Sequence, residues 1–145
     1  MSYQSTKVQL GTTNSSFKTV DNVPGVIAAG KVAHAKSDGT YTLAIADGVA
    51  VGVSLGRSLS DTSRSAICRR GTGVPILLTT GLDPVIGAQV NISDTTGIAA
   101  ASGGGATAVN AVYASGRVGG TGVNNGLDED GAAVGVAYID FPGGL

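Results

Sequence analysis

The chain has 145 residues, of which 24 are glycine and none is tryptophan, and its formal net charge is −1. The nearly neutral net charge argues against nucleic acid as the main partner, because binding to phosphates requires clustered cations. The length fits one domain, whose core must be built mostly from small aliphatic side chains. Glycine raises the entropy cost of folding, so we expect a marginally stable monomer that gains stability as a homo-oligomer or as a surface-bound subunit.

The single cysteine, Cys68, excludes a disulfide bond within the chain. The first residues lack the charged and then apolar pattern of a secretion signal. No apolar run approaches the ~18 residues that a membrane helix needs. The sequence therefore predicts a soluble protein that is made in a cytoplasm and has no membrane partner.

The N-terminal segment, residues 1–22, is rich in Ser, Thr, Asn and Gln and shows no core-sized hydrophobic pattern. Two interpretations stay open: a disordered terminus, or an extended arm that orders against a partner through Phe17 and Lys18. Residues 23–145 are predicted to form a single β domain.

A hairpin of residues 31–36 and 41–45 is the clearest local prediction. Between these runs, residues 37–40 read Ser-Asp-Gly-Thr, which contains a favoured hairpin turn. A further strand is predicted at 49–55, where Gly52 indicates a bulge or a close approach of the backbone.

Short strand signals continue through the rest of the chain. Residues 74–78 form a continuous apolar run of strand length, and the alternation in 88–93 places Val90 and Ile92 on one face. No segment of useful length has a helical period, so the predicted fold is all-β, a small barrel or sandwich of short antiparallel strands with an extended N-terminal arm. The remaining predicted elements are strands at 65–70, 106–113 and 132–141 and a turn at 94–97.

Motifs for catalysis and ligand binding are weak. Residues 25–31 match most of a phosphate loop, but Val32 stands where Ser or Thr would hold magnesium, and a strand is predicted to follow instead of a helix. His34 and Cys68 could form a nucleophilic pair, although a small buried cysteine in a strand is the commoner case. The acidic run 128–130 could bind calcium, but an exposed turn is the simpler interpretation. We expect no catalytic group, no metal and no cofactor.

The arginines are the candidate partner contacts of the predicted β domain. If the loop between Arg57 and Arg64 folds back near Arg69 and Arg70, the four side chains would form a basic patch on a nearly neutral protein. Such a patch would suit an acidic protein surface. The alternative is that these arginines lie in water at the edge of the domain and are partly paired with Asp61.

From residue 49 to the C-terminus, the chain resembles the small head decoration, or capsid cement, proteins of tailed bacteriophages. The order of four segments carries the resemblance: GVSL at 52–55, CRRGTGVP at 68–75, DPVIGAQVNISDTTG at 83–97 and IDFPGGL at 139–145. The resemblance implies a non-enzymatic virion protein, made in the host cytoplasm, that binds the capsid exterior. It also implies a homotrimer that bridges neighbouring major capsid subunits. The family has no catalytic motif, so it assigns no site residue.

Two rival functions stay open. The first is a glycan- or receptor-binding module, for which an aromatic platform would be needed, and the chain has only 4 Tyr and 2 Phe. The second is an enzyme that uses His34 and Cys68. It requires a thiol that reagents can reach in the folded protein.

Overall fold

The fold is known from a computed structural model, which describes residues 16–43, 51–57, 63–118 and 135–142. Every regular element in these ranges is a β-strand, which confirms the all-β prediction. The same ranges contain no helix long and apolar enough to span a bilayer. The strands are β1 (Ser16–Pro24), β2 (Val32–Ala35), β3 (Tyr41–Thr42), β4 (Val51–Arg57), β5 (Arg64–Leu78), β6 (Gln89–Ser93), β7 (Ala106–Tyr113) and β8 (Gly135–Phe141).

The strands form one antiparallel sheet in the order β3-β2-β4-β5-β8-β7-β6, with β1 paired to β5 off this path. β5 is the organising strand. Its first half pairs with both β1 and β4, and its second half pairs with β8. The sheet curls into a half-barrel, so the structure favours the barrel over the sandwich among the two predicted architectures.

The sequence predicted two strands, 65–70 and 74–78, where the structure has the single 15-residue strand β5. The two glycines between the predicted strands do not end the ladder. Gly73 adopts a φ of 64°, and the register against β8 shifts between Gly71 and Val74. This is a bulge, which glycine accommodates without a side-chain clash. The N–H of Gly73 donates to the Asp140 carboxylate at 2.7 Å, so this backbone group keeps a partner within the bulge.

The segment 98–100 joins the far edge of the curled sheet back to β5. Ile98 and Ala100 exchange backbone hydrogen bonds with β6, since Ser93 N donates to Ile98 O and Ala100 N donates to Asn91 O. Ala99 bonds to β5 on its other side, where its N donates to Leu77 O and its O accepts from Thr79 N. The predicted turn at 94–97 lies directly before this segment and is observed as a turn.

Alternating residues of the curled strands build the main core. β5 contributes Val74, Ile76 and Leu78, each 0 % exposed, and β6 contributes Val90 and Ile92, as predicted from the alternation. Their partners on the other strands are Val109, Ala111, Tyr113, Ala137, Ile139 and Phe141. Aliphatic side chains dominate this interior because the chain has few large aromatic residues to fill it.

The β2–β3 hairpin confirms the turn predicted at residues 37–40. The ladder closes through Lys36 N to Thr40 O at 2.7 Å, and Gly39 has the positive φ of 86° that its turn position requires. Behind the hairpin lies a second hydrophobic cluster of Val23, Ile27, Ala33 and Ile67.

Two buried serines fix the connection between β1 and β2. Ser65 Oγ accepts from Ile27 N at 2.8 Å and donates to Gly25 O at 2.9 Å. Ser54 Oγ donates to Ile27 O at 2.6 Å and accepts from Gly56 N at 3.0 Å. Because both serines are at most 1 % exposed, water cannot replace these bonds in the folded state.

We expect Ser65→Ala to lower the free energy of unfolding by about 2 kcal/mol, since it leaves the buried Ile27 N–H and the Gly25 C=O without their hydroxyl partner. Urea denaturation followed by circular dichroism measures the change. The matched control is Ser102→Ala at an exposed position, which we expect to stay within about 0.5 kcal/mol of wild type. Equal stability of the two variants would contradict the prediction.

The boundary predicted between arm and domain, after residue 22, lies inside β1. Ser16 pairs with Thr72 at one end of this strand and Pro24 pairs with Arg64 at the other. Residues 1–15 of the predicted arm lie outside the described ranges.

Candidate functional site

A groove with a volume of about 610 Å³ lies where the described ladder between β7 and β8 ends. Among the described residues, these two strands pair at Val112–Asp140 and Tyr113–Ile139. Beyond that ladder the groove is lined by Asn110 and Ala111 of β7, by Phe141 at the end of β8, and by Pro142, which follows it. The volume lies within the ~300–1,000 Å³ typical of ligand-binding clefts.

The groove has an apolar floor and a polar rim. Phe141 and Ala111 are 2 % and 5 % exposed and form part of the floor. The rim carries Arg70 and Gln89, both exposed, and Asp140. An apolar floor with a few polar groups at its edge is the usual composition of a binding site for an organic ligand or a peptide.

Three residues that line the groove form a row of outward side chains across three neighbouring strands. Gln89 of β6 pairs with Val112 of β7, and Val112 pairs with Asp140 of β8. Residues directly opposite each other in an antiparallel sheet have side chains on the same face. Val112 is 42 % exposed, so an aliphatic side chain lies between two polar ones on the surface.

The turn before β6 presents two large apolar side chains to solvent. Val85 and Ile86 are each 69 % exposed. The turn closes through Ala88 N to Val85 O at 3.0 Å, and Gly87 N donates to Tyr113 O at 2.8 Å. Gly87 lines the groove, so this apolar turn is adjacent to it. Exposed aliphatic residues of this size next to a cleft are typical of a protein-binding surface.

The four candidate arginines do not form the single basic patch that folding back of the loop would produce. Arg57 pairs with Ser65, so it lies next to Arg64 at the start of β5. Arg69 and Arg70 lie five and six residues further along the same extended strand, which places Arg64 and Arg70 about 20 Å apart. Of the four, Arg70 lines the groove. The arrangement is therefore two separate arginine pairs.

Phe17 and Lys18 lie in β1, close to Thr72 and Gly71. Phe17 pairs with Gly71, which lines the groove, and the register shifts on either side of Thr19. The backbone of these two candidate contacts is thus adjacent to the groove rim.

The pair of His34 and Cys68 does not have the geometry of a nucleophile and its base. β4 lies between their strands, since His34 pairs with Val51 and Val53 pairs with Cys68, which separates their Cα atoms by roughly 10 Å or more. Cys68 is 0 % exposed, and its thiol donates to Arg70 O at 3.2 Å. Burial raises the pKa of this thiol to about 12. A reactive cysteine is accessible and has a lowered pKa, and Cys68 has neither property.

Metal and phosphate motifs find little support in the described ranges. No group of three or more His, Cys, Asp or Glu side chains there could hold a metal ion. Residues 25–31 lead into strand β2, whereas a phosphate loop leads into a helix. The acidic run 128–130 lies outside the described residues.

Sequence reasoning missed most of the groove. Gln89, Asn110, Val112 and Asp140 come from three different strands, and each one alone has the sequence context of an ordinary strand residue. One local signal was present in the turn at residues 85–88. It places Val85 and Ile86 where a turn normally carries polar residues.

No protein-family model, no curated protein and no solved structure matches this chain.

Proposed function

We propose that this protein is a structural virion subunit that binds the outer surface of a bacteriophage capsid and stabilises it by bridging neighbouring major capsid subunits. The exposed apolar turn of Val85 and Ile86 beside the groove is the observation that supports this most directly. It is a surface suited to a protein partner. The ordered resemblance of residues 49–145 to head decoration proteins supplies the identity of that partner.

A half-barrel of short strands suits a repeated surface subunit. Its low charge, 13 % of residues, limits repulsion between many copies on one shell. A homotrimer would present three such surfaces at once, so that weak contacts add through effective concentration. The small aliphatic core also favours association, which would bury surface that the monomer leaves in water.

The test is co-sedimentation of the purified protein with empty expanded heads of the phage whose genome encodes it. We expect saturable binding and greater resistance of the decorated heads to heat. Light scattering on the free protein, which should report a trimer, tests the oligomer separately. An intact protein that stays in the supernatant at concentrations of tens of micromolar would contradict the proposal.

The contribution of the arm is measured with a deletion of residues 2–15. This deletion keeps all of β1 and its pairing to β5, so its fold is comparable with that of the intact protein. We expect the shortened protein to bind heads more weakly, with an unchanged circular dichroism spectrum and an unchanged melting temperature. Unchanged binding would show that the arm makes no contact with the capsid.

A glycan- or receptor-binding module is the alternative function. The polar rim of Gln89, Asn110 and Asp140 would suit sugar hydroxyls. However, the aromatic side chain among the described lining residues, Phe141, is 2 % exposed and offers no face for a sugar ring. Binding to a glycan array, together with no binding to heads, would favour this alternative.

A further inference from the structure

We propose that Arg117 is a positioning residue for the exposed apolar turn at residues 85–88. Its guanidinium holds the segment between β5 and β6 in one conformation and so fixes the direction of the Val85 and Ile86 side chains. This conformational effect needs no partner and is measurable on the free protein. Its consequence for capsid binding rests on the proposed function.

The Arg117 side chain contacts the residues that precede the apolar turn. Its Nη2 donates to Leu82 O and, at 3.5 Å, to Thr79 O. Its Nε lies 3.5 Å from Oδ1 of Asp83. The side chain is only 9 % exposed, and arginine is seldom buried to this degree unless its polar groups are paired. One planar guanidinium therefore links two carbonyl groups and a carboxylate within residues 79–83.

The backbone that carries Arg117 is itself bonded to β8. Val118, the next residue, donates its N–H to Val136 O at 2.7 Å. The guanidinium lies against Gly135 at the start of β8, where a Cβ would clash with Nη1. Glycine at this position leaves the space that the guanidinium occupies. Arg117 therefore connects the segment before the apolar turn to a part of the sheet that has its own hydrogen bonds.

Hydrophobic packing holds little of the segment between β5 and β6. None of residues 79–89 is buried. Leu82 is partly buried and packs against the main core, whereas Val85 and Ile86 are each 69 % exposed. Segments with few buried apolar contacts open at a low cost in free energy. The conformation of this segment therefore depends on its hydrogen bonds.

The apolar turn is attached at its other end to β7. Gly87 N donates to Tyr113 O at 2.8 Å, and Tyr113 N donates to Ala88 O at 3.0 Å. The two exposed aliphatic side chains lie between this attachment and the contacts of Arg117. Removing the guanidinium would release one end of the turn and leave the other end bonded.

A fixed turn binds a partner more tightly than a mobile turn with the same side chains. Ordering a loop and its side chains on binding costs conformational entropy. Arg117 removes part of that cost in advance, because it orders the turn in the free protein. Since its own side chain is 9 % exposed, it offers little surface to a partner. Its loss should weaken binding without deleting a contact.

Hydrogen exchange followed by mass spectrometry on the free protein tests the conformational effect. We expect Arg117→Gln to speed exchange in residues 79–89 roughly tenfold, as the loss of a hydrogen bond to a charged group predicts, and to leave residues 74–78 of β5 unchanged. Arg117→Lys keeps the charge but loses the planar fork, so we expect a smaller increase; it also provides the comparison if Arg117→Gln does not fold. The control is Lys36→Gln, which removes a positive charge at an exposed position in the β2–β3 hairpin and should change neither segment.

Head co-sedimentation of the same variants, together with Ile86→Ser, tests the consequence for binding. It is performed at a temperature where thermal denaturation shows every variant to be folded. We expect Arg117→Gln to weaken head binding about fivefold through the ordering cost. Ile86→Ser, which alters the turn itself, should weaken it at least about tenfold. Lys36→Gln should stay within about twofold of wild type.

Failure of this inference is distinct from failure of the proposed function. Unchanged exchange in residues 79–89 of Arg117→Gln would show that Arg117 does not fix the turn, whatever the heads bind. Faster exchange with unchanged head binding would show that the capsid contact does not need the fixed turn, and the proposed function would stand. If wild type does not bind heads, the proposed function is wrong, and the exchange measurement alone decides whether Arg117 positions the turn.

Discussion

Gly52→Ala is expected to lower the free energy of unfolding by about 3 kcal/mol, at the upper end of what overpacking costs. A Cβ at Gly52 would clash with Ile67 Cγ2 and would lie 3.1 Å from the carbonyl oxygen of Cys68. Gly52 also pairs with Ala33, so β4 is held on both sides. Ile67 is 0 % exposed and packs in the second hydrophobic cluster, which leaves it little room to move.

Thermal and urea denaturation, followed by circular dichroism, measure this loss, which corresponds to roughly 10 °C in melting temperature. The matched control is Gly104→Ala. A Cβ at Gly104 would meet no atom within 4 Å, and its φ lies outside the positive range. We expect that control to stay within about 0.5 kcal/mol of wild type. If both variants are equally stable, β4 does not approach β5 as closely as the structure shows.

Stability is expected to fall steeply above pH 9. Burial raises the pKa of the Cys68 thiol from 9.0 to about 12 and the pKa of the Tyr113 hydroxyl from 10.0 to about 12. Above the unfolded values the unfolded chain releases both protons while the folded chain keeps them. The unfolded state is then favoured as pH rises. Each such proton lowers the free energy of unfolding by about 1.4 kcal/mol per pH unit, which gives a loss of about 4 kcal/mol from Cys68 by pH 12.

Tyr113→Phe separates the two contributions. The Tyr113 hydroxyl is buried and has no hydrogen-bond partner among the described residues, so removing it should leave stability at pH 7 unchanged or slightly higher. Between pH 10 and 11, wild type should lose about 2 kcal/mol and the variant about 1 kcal/mol. Urea denaturation at pH 7, 10 and 11 measures both slopes. Equal slopes would show that the Tyr113 hydroxyl is accessible to water in the folded protein.

The local features of the fold were predictable because they depend on few neighbouring residues. The alternation of Val90 and Ile92 identified β6, and the Asp38–Gly39 turn identified the β2–β3 hairpin. Gly52 was identified as a bulge or a close approach from its position inside a strand pattern, and the clash that any Cβ there would make with Ile67 supports the close approach. In each case a few neighbouring residues are enough to predict the local backbone conformation.

The candidate site was less predictable, because it depends on which strands pair. Arg70 was a candidate for its charge, yet its difference from Arg69 appears only when the groove is formed by β5, β7 and β8. Asp140 stabilises a bulge at Gly73, 67 positions away in the chain. Neither residue carries a local signal for these roles.

The amino-acid sequence by itself determined the all-β class, the turns and the faces of the short strands, since side-chain alternation and turn chemistry act within a few residues. Only the tertiary structure decided that β5 continues through Gly71 and Gly73, that the arginines divide into two pairs, and that a groove lies at the end of the β7–β8 ladder. These features follow from hydrogen bonds and packing between segments that are tens of residues apart. The free energy of such contacts depends on the whole arrangement of strands and on no single stretch of the chain.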